Sequence, residues 1–222
     1  MRAVVTSVAL MVCASASAQQ PIPVDNESHH KIVFSDQVLR VLEVVVPEGD
    51  ETLDHAHRYD IVTVCIECAA TRTRQSGEPW GEIRPRKTGG FLIAEYAGKP
   101  AAHAVRNVGK GFYRLVGIES LRESGWPVGK PIGRVPGATL GEESRAFRVY
   151  DVHLGPGNAA AQHVHTAPTV VVLDTGDVTN AMGPASRRLA KPGEWIVVPA
   201  GTAHTLSAQG SKAAHLVEFE VR

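Results

Sequence analysis

Six of the ten histidines in this chain stand in a pattern that can do chemistry. His55-x-His57 and His163-x-His165 have strand spacing, so each pair projects two imidazoles from one face. His103 and His204 follow far enough downstream to come from a separate strand. Two neighbouring imidazoles and a third from a distant strand can surround one divalent ion; Fe, Mn, Ni, Cu and Zn all remain open. So small a ligand set leaves positions for water or substrate. A lone H-x-H in a strand is more commonly a surface feature or a hydrogen-bonded core feature. All six histidines could also belong to buried hydrogen-bonded networks. Recurrence of the three positions is what favours metal. His29, His30, His153 and His215 lack such a pattern and read as structural.

The recurrence extends beyond histidine. A shift of 108 positions lays residues 40–64 on 148–172 without a gap. Arg40, Val41, Val44, Gly49, His55, His57, Val62 and Val64 then meet Arg148, Val149, Val152, Gly157, His163, His165, Val170 and Val172. A shift of 101 lays 102–119 on 203–220, matching Ala102, His103, Gly109, Leu115, Val116 and Glu119 with Ala203, His204, Gly210, Leu216, Val217 and Glu220. Chance would give roughly one or two matches over either stretch, so the chain carries a duplicated unit.

The elements that must hold these histidines read as strands. Val41–Val46, Ile61–Ile66, Phe91–Tyr96, Tyr113–Ile118, Phe147–Leu154, Val170–Leu173, Trp195–Val198 and Ala214–Val221 are short, rich in β-branched residues and punctuated by Gly, Pro, Asn and Asp. No stretch has a helical period of useful length, and evenly spaced short strands without helices point to barrels or sandwiches. Residues 123–143, with Trp126-Pro127, Lys130-Pro131 and Val135-Pro136, read as a Gly/Pro-rich linker between a first unit at 32–122 and a second at 144–222. Residues 19–31 are polar and read as an N-terminal arm, either loose or joined to a sheet.

Residues 1–18 read as an export signal: Arg2, the apolar stretch Ala3–Ala14, and the small-residue site Ala16-Ser17-Ala18. The apolar run is too short to span a bilayer. Val12 before Cys13 departs from a lipoprotein signal, so simple cleavage and a periplasmic or secreted destination are expected. Cys65 and Cys68 then remain. They end a strand-like run and read either as core and turn cysteines or as a local disulfide, which would need a bend in the strand.

At these residues the chain resembles the cupin superfamily. Gly157-x5-His163-x-His165 resembles the first half of the first cupin motif, and Gly193-x5-Pro199-x-Gly201-x2-His204 matches the second motif through its Gly, Pro and His positions. Gly49-x5-His55-x-His57 and His103-x3-Asn107 repeat the pattern upstream, so the resemblance is to a bicupin. It implies an all-β fold of two double-stranded β-helix barrels in tandem, with these histidines pointing inward. Cupin metal sites often add a glutamate separated from H-x-H by three or four intervening residues, where this chain has Ile61 or Val62 and Thr169 or Val170. The sites therefore read as three-histidine sites, with Asp60 either a substitute ligand or a solvated turn carboxylate. Similar all-histidine triads occur in cupin dioxygenases acting on thiols, diketones and aromatic acids. Neutral ligands leave the ion its full charge, which favours an anionic or enolised substrate.

Two functions from different classes follow: a metal-dependent dioxygenase acting on a small polar molecule, or a non-catalytic cupin that binds metal or a small ligand. The sequence alone names no catalytic residue. Arg58, Tyr59, Tyr113 and Arg114 are weak candidates for lining a site, and Trp195 reads as core. With 23 basic and 23 acidic residues the chain gives no electrostatic reason to expect nucleic acid or an anionic membrane. Exposed sheet edges leave a homo-oligomer open.

Overall fold

The computed structural model describes residues 20–122 and 129–222. The export signal and Trp126-Pro127 lie outside them. No helix among the described residues is long and apolar enough to cross a membrane.

The fold of the described residues is all-β, apart from a single 3-10 turn at Val24–Asn26. Its first half contains β1 (Ile22–Pro23), β2 (His30–Ser35), β3 (Leu39–Val46), β4 (His55–His57), β5 (Asp60–Cys68), β6 (Thr71–Gln75), β7 (Phe91–Ala94), β8 (Ala101–Asn107) and β9 (Tyr113–Ser120). They form a five-stranded sheet, β2-β3-β9-β5-β7, and a four-stranded sheet, β1-β4-β8-β6. The second half contains β10 (Ala138–Glu143), β11 (Phe147–Leu154), β12 (His163–Val164), β13 (Thr169–Thr175), β14 (Val178–Met182), β15 (Ala185–Leu189), β16 (Trp195–Val198), β17 (Ala203–Ala208) and β18 (Ala214–Val221). These repeat the plan as β10-β11-β18-β13-β16 and β12-β17-β14-β15.

Of the N-terminal arm, read as loose or joined to a sheet, residues 20–31 take the second form: Ile22 and Pro23 pair in parallel with His55 and Ala56, and His30 opens β2. The stretch read as linker ends in a strand, since Ala138–Glu143 pairs along β11. Proline ends where that pairing begins, after Pro136, so the backbone amides of β10 are free to join the ladder.

The five-stranded sheets bury both faces. Alternate residues of β3, β5 and β9 (Leu39, Val41, Val62, Val64, Val116, Ile118) meet Phe147, Val149, Val170, Val172, Val217, Phe219 and Val221 in one shared core between the halves. The intervening residues face inward, toward the four-stranded sheets. Val44, Val46, Cys65, Tyr113 and Leu115 do so in the first half, and Tyr150, Val152, Val171, Leu173, Val178, Leu206 and Leu216 in the second. Burial on both faces is why these strands are nearly continuous apolar runs. Trp195 is half-buried at the edge of the shared core, with its ring 5.8 Å from Phe34.

Cys65 and Cys68 are joined in a disulfide. The bend that i, i+3 bridging requires is a break in the β5–β9 register between Cys65 and Glu67.

Candidate metal centres

Cross-strand register builds both histidine clusters. His55 on β4 lies directly opposite His103 on β8, and His163 on β12 directly opposite His204 on β17. The second histidine of each H-x-H, two residues on, shares the same face. In the first half the ring centroids of His55, His57 and His103 lie 4.6–5.0 Å apart. In the second half those of His163, His165 and His204 lie 4.2–5.2 Å apart. The six predicted histidines therefore converge as two groups of three.

Backbone contacts set the tautomers alike in both halves. Nδ1 of His55 is 2.8 Å from the Leu53 carbonyl, and Nδ1 of His163 is 2.8 Å from the Ala161 carbonyl. Each Nδ1–H donates there, which leaves the Nε2 lone pair aimed inward. His204 is held through Nδ1, 3.0 Å from Oδ1 of Asn180.

Each cluster has a fourth member that the sequence reading missed. In the second it is Glu218 on β18, fully buried, whose carboxylate lies 3.5 Å from His163 Nε2, 3.5 Å from His165 Nε2 and 3.6 Å from His204 Nε2. This corrects the expectation of an all-histidine site there: the carboxylate comes from the far end of the chain. Its signal was a pair of glutamates, Glu218 and Glu220, at alternate positions of an otherwise apolar strand. In the first cluster the addition is His30 on β2, centred 4.4 Å from His55, which corrects its reading as structural. Glu27 accepts from His30 Nδ1 at 2.6 Å and also bonds His29 at Nδ1 and the backbone amide.

Asp60 joins neither cluster. Its carboxylate accepts two bonds from Arg145 of the second half, at 2.7 and 2.9 Å, and one from the Ala97 amide at 2.8 Å. Both sequence readings of Asp60 fail because it is neither solvated nor aimed at the histidines. Tyr59 lies under the guanidinium groups of Arg40 and Arg58, and Arg114 reaches outward to the Pro192 carbonyl at 3.2 Å.

Tyr113 does face inward. With His30, His57, His103, Tyr96 and Arg86 it lines a cavity of about 260 Å³ over the first cluster. Arg86, which the sequence reading passed over, donates to Thr63 Oγ1 and to the Tyr113 hydroxyl, each at 3.2 Å.

Electrostatically the two clusters differ. Burial holds His55 down to about 3, assisted by the charges His30 and His57 would carry. Burial and the surrounding imidazoles push His103 to about 2. These rings are neutral at neutral pH, the form that donates to a metal. In the second cluster burial acts to raise Glu218, but His163 and His165 outweigh it and hold the carboxyl at about 2. His204 falls to about 4, chiefly through burial, with Glu218 opposing.

The donors pass a test of fit for a cation. His55 Nε2, His163 Nε2, His204 Nε2 and both Glu218 oxygens are buried without a hydrogen-bond partner. Buried polar atoms are normally paired, and here the unpaired ones face one another. His163, His165, His204 and Glu218 bring one donor atom each within 4.8 Å of the others, as do His30, His55 and His57. The latter group lacks the predicted His103, which joins the first cluster by ring contact. Both arrangements are compatible with a divalent ion.

No protein-family model matches the chain, and no curated protein matches it in sequence. Solved structures do. The chain is similar to AerE from Microcystis aeruginosa, at 12% identity over 91% of this chain and 98% of that one, with a TM-score of 0.69. It is similar to a cupin 2 conserved barrel domain protein from Leptotrichia buccalis, at 11% identity over 89% and 90%, TM-score 0.58. A salicylate 1,2-dioxygenase variant from Pseudoaminobacter salicylatoxidans, in complex with gentisate, matches at 13% identity over 90% and 76%, TM-score 0.66. At such identities the likeness is one of fold, and the fold is that of cupin-type proteins.

Proposed function

We propose that this chain is an exported bicupin, two barrels in tandem, that binds divalent metal in both halves and works as a metal-dependent dioxygenase on a small anionic molecule in the first. The ligands would be His55, His57 and His103 with His30 in the first half, and His163, His165 and His204 with Glu218 in the second. The observation that carries the reading is the cavity over the first cluster, which gathers an arginine and two tyrosines around converging imidazoles. The fold shared with a gentisate-bound dioxygenase supports it.

When bound, a redox-active ion such as Fe(II) would supply oxygen activation and Lewis acidity. The chain's own residues do the positioning. His55 is locked to the Leu53 carbonyl, and His30 to Glu27, so both rings keep their orientation without an ion. Arg86 offers a planar fork to a substrate carboxylate. Its anchorage on Thr63 and Tyr113 holds that fork in place before substrate arrives. The apolar part of the wall, including Val44, Val46 and Leu115, lowers the polarity around these charges.

A second reading is a non-catalytic metal- or ligand-binding protein. It draws on the second cluster, whose four members are all buried, as in a closed structural site. Oxygen uptake separates the two. Full-length protein loaded anaerobically with Fe(II) is mixed with gentisate, salicylate and related hydroxy acids, and oxygen consumption is followed. Consumption with at least one acid, lost in His57→Ala and with KM raised about tenfold or more in Arg86→Met, supports the dioxygenase. Stoichiometric iron with no uptake across the acids supports the binding protein.

A further inference from the structure

A third set of donors lies outside both clusters, on the face that forms the shared core. Asp151 and His153 stand two apart on β11, and His215 on β18 is paired directly with His153. Asp174 on β13 completes the group. These residues continue the rows of Val149 on β11, Val217 on β18 and Val172 on β13, at the rim where the apolar core ends.

Their nitrogens and oxygens converge. The imidazoles of His153 and His215 stack at 4.4 Å with an interplanar angle of 10°. Both Nε2 atoms face the same Asp151 oxygen, at 3.3 Å from His153 and 2.6 Å from His215. One donor atom from each of Asp151, His153 and His215 falls within 4.8 Å of the others. On the other side of the ring, Asp174 Oδ2 takes His215 Nδ1 at 2.8 Å. Without an ion His215 donates from both nitrogens, Nδ1 to Asp174 and Nε2 to Asp151. Once Nε2 gives up its proton, the Asp174 contact keeps Nδ1 protonated and Nε2 becomes the donor, the carboxylate–histidine relay found behind metal-bound imidazoles. Asp174 is buried, and its second oxygen has no hydrogen-bond partner. Gly89 of the first half covers the pair: a Cβ there would come within 2.5 Å of Asp174 and 2.8 Å of His215. The opposite side is open, with the His153 side chain 67% exposed.

We infer that Asp151, His153 and His215 form a separate divalent-cation site at the seam between the halves, with Asp174 orienting His215. Two imidazoles and one carboxylate, with room for water, suit Zn²⁺, Ni²⁺ or Cu²⁺. Binding displaces the proton that His215 shares with the two carboxylates.

The test is a zinc count on the full chain. Chelator-treated wild type, His153→Gln and Asp151→Asn are titrated with ZnCl₂ at pH 7.5 by calorimetry, and their melting temperatures are compared with and without zinc. His153 is exposed, so His153→Gln should melt with wild type in chelator. Wild type is expected to take up one more zinc per chain than either variant, and to gain more thermal stability from zinc. Equal counts and equal affinities in all three proteins overturn the assignment. The difference is read against whatever the interior histidines hold, so it stands or falls apart from the proposed function.

Discussion

Acid should unfold the metal-free protein by way of His55, and the size of the effect follows from its environment. The folded chain keeps this imidazole neutral down to about pH 3, whereas a free histidine titrates near 6.5. Between those values the unfolded chain binds a proton that the folded chain refuses, so this residue makes stability rise with pH across that window. At pH 5 the mismatch is roughly 1.5 pH units, or about 2 kcal/mol. His103 and His204, also held low, act in the same direction. His29, His163 and His215 are raised, so they contribute stability below their ordinary value that is lost as pH rises through the raised one. The wild-type profile is therefore a difference between opposing groups, and a variant must isolate one of them. Urea unfolding of chelated wild type and His55→Gln at pH 7.5 and 5.0 does this. The variant's loss on acidification should be smaller by about 2 kcal/mol, close to 30-fold in the unfolding constant. Since His55 also repels a proton on His103, its removal can only enlarge that figure. Equal losses in the two proteins would refute the buried, neutral His55.

Glu218→Gln keeps the shape of the second cluster and removes its charge. Removing only an outer-shell partner costs about 10–100-fold in metal affinity, so this change should cost at least that in equilibrium dialysis, and an unchanged Kd would exclude Glu218 as a ligand. Arg148→Met leaves Glu220 buried with the Thr166 and Ala167 donors but without its guanidinium, and should destabilise by about 3 kcal/mol in urea titration. Phe219→Ala opens a cavity in the core shared by both halves, at a cost of about 3–5 kcal/mol. Because that core joins the halves, wild type and variant should each melt in one calorimetric transition; two separated transitions would contradict it.

The legible parts of this fold are those where both faces of a strand are apolar or where a feature occurs twice. Phe147–Leu154, Trp195–Val198 and Ala214–Val221 stand out by their β-branched runs, and their bounds agree with the strands observed. Thr71–Gln75 and Ala185–Leu189 pass unnoticed because polar side chains on these outer strands blur the alternation. The same logic governs the sites. Comparison of the repeats exposes His55, His57 and His103 with their counterparts because those positions agree. It hides His30 and Glu218 because they do not: at the same offsets His30 falls on Ala138 and Glu218 on Gly117. Asp60 misleads by adjacency, since three residues of chain from His57 carry it to the seam and to Arg145.

That mismatch has a chemical consequence. The sheet registers confirm the equivalence: His30 and Ala138 lie opposite Val44 and Val152, while Gly117 and Glu218 lie opposite Leu42 and Tyr150. Three histidine positions are thus shared, and the fourth donor has moved from the central strand β18 in one half to the edge strand β2 in the other. A carboxylate at Glu218 would cancel one unit of a divalent ion's charge, and it is fully buried among its imidazoles. An imidazole at His30 brings no charge of its own to the ligand set. The buried carboxylates nearest the first cluster are Glu27, 2.6 Å from His30 Nδ1, and Glu119, 3.6 Å from His57 Nδ1 and paired with Arg40. Gly117 contributes the space. A Cβ there would already approach Ile61 Cδ1 to 3.2 Å, so a glutamate could enter only by displacing a residue of the cavity wall. The absence of a carboxylate at that position and the presence of the cavity therefore go together, and the cavity is the feature on which the proposed anionic substrate of the first half rests.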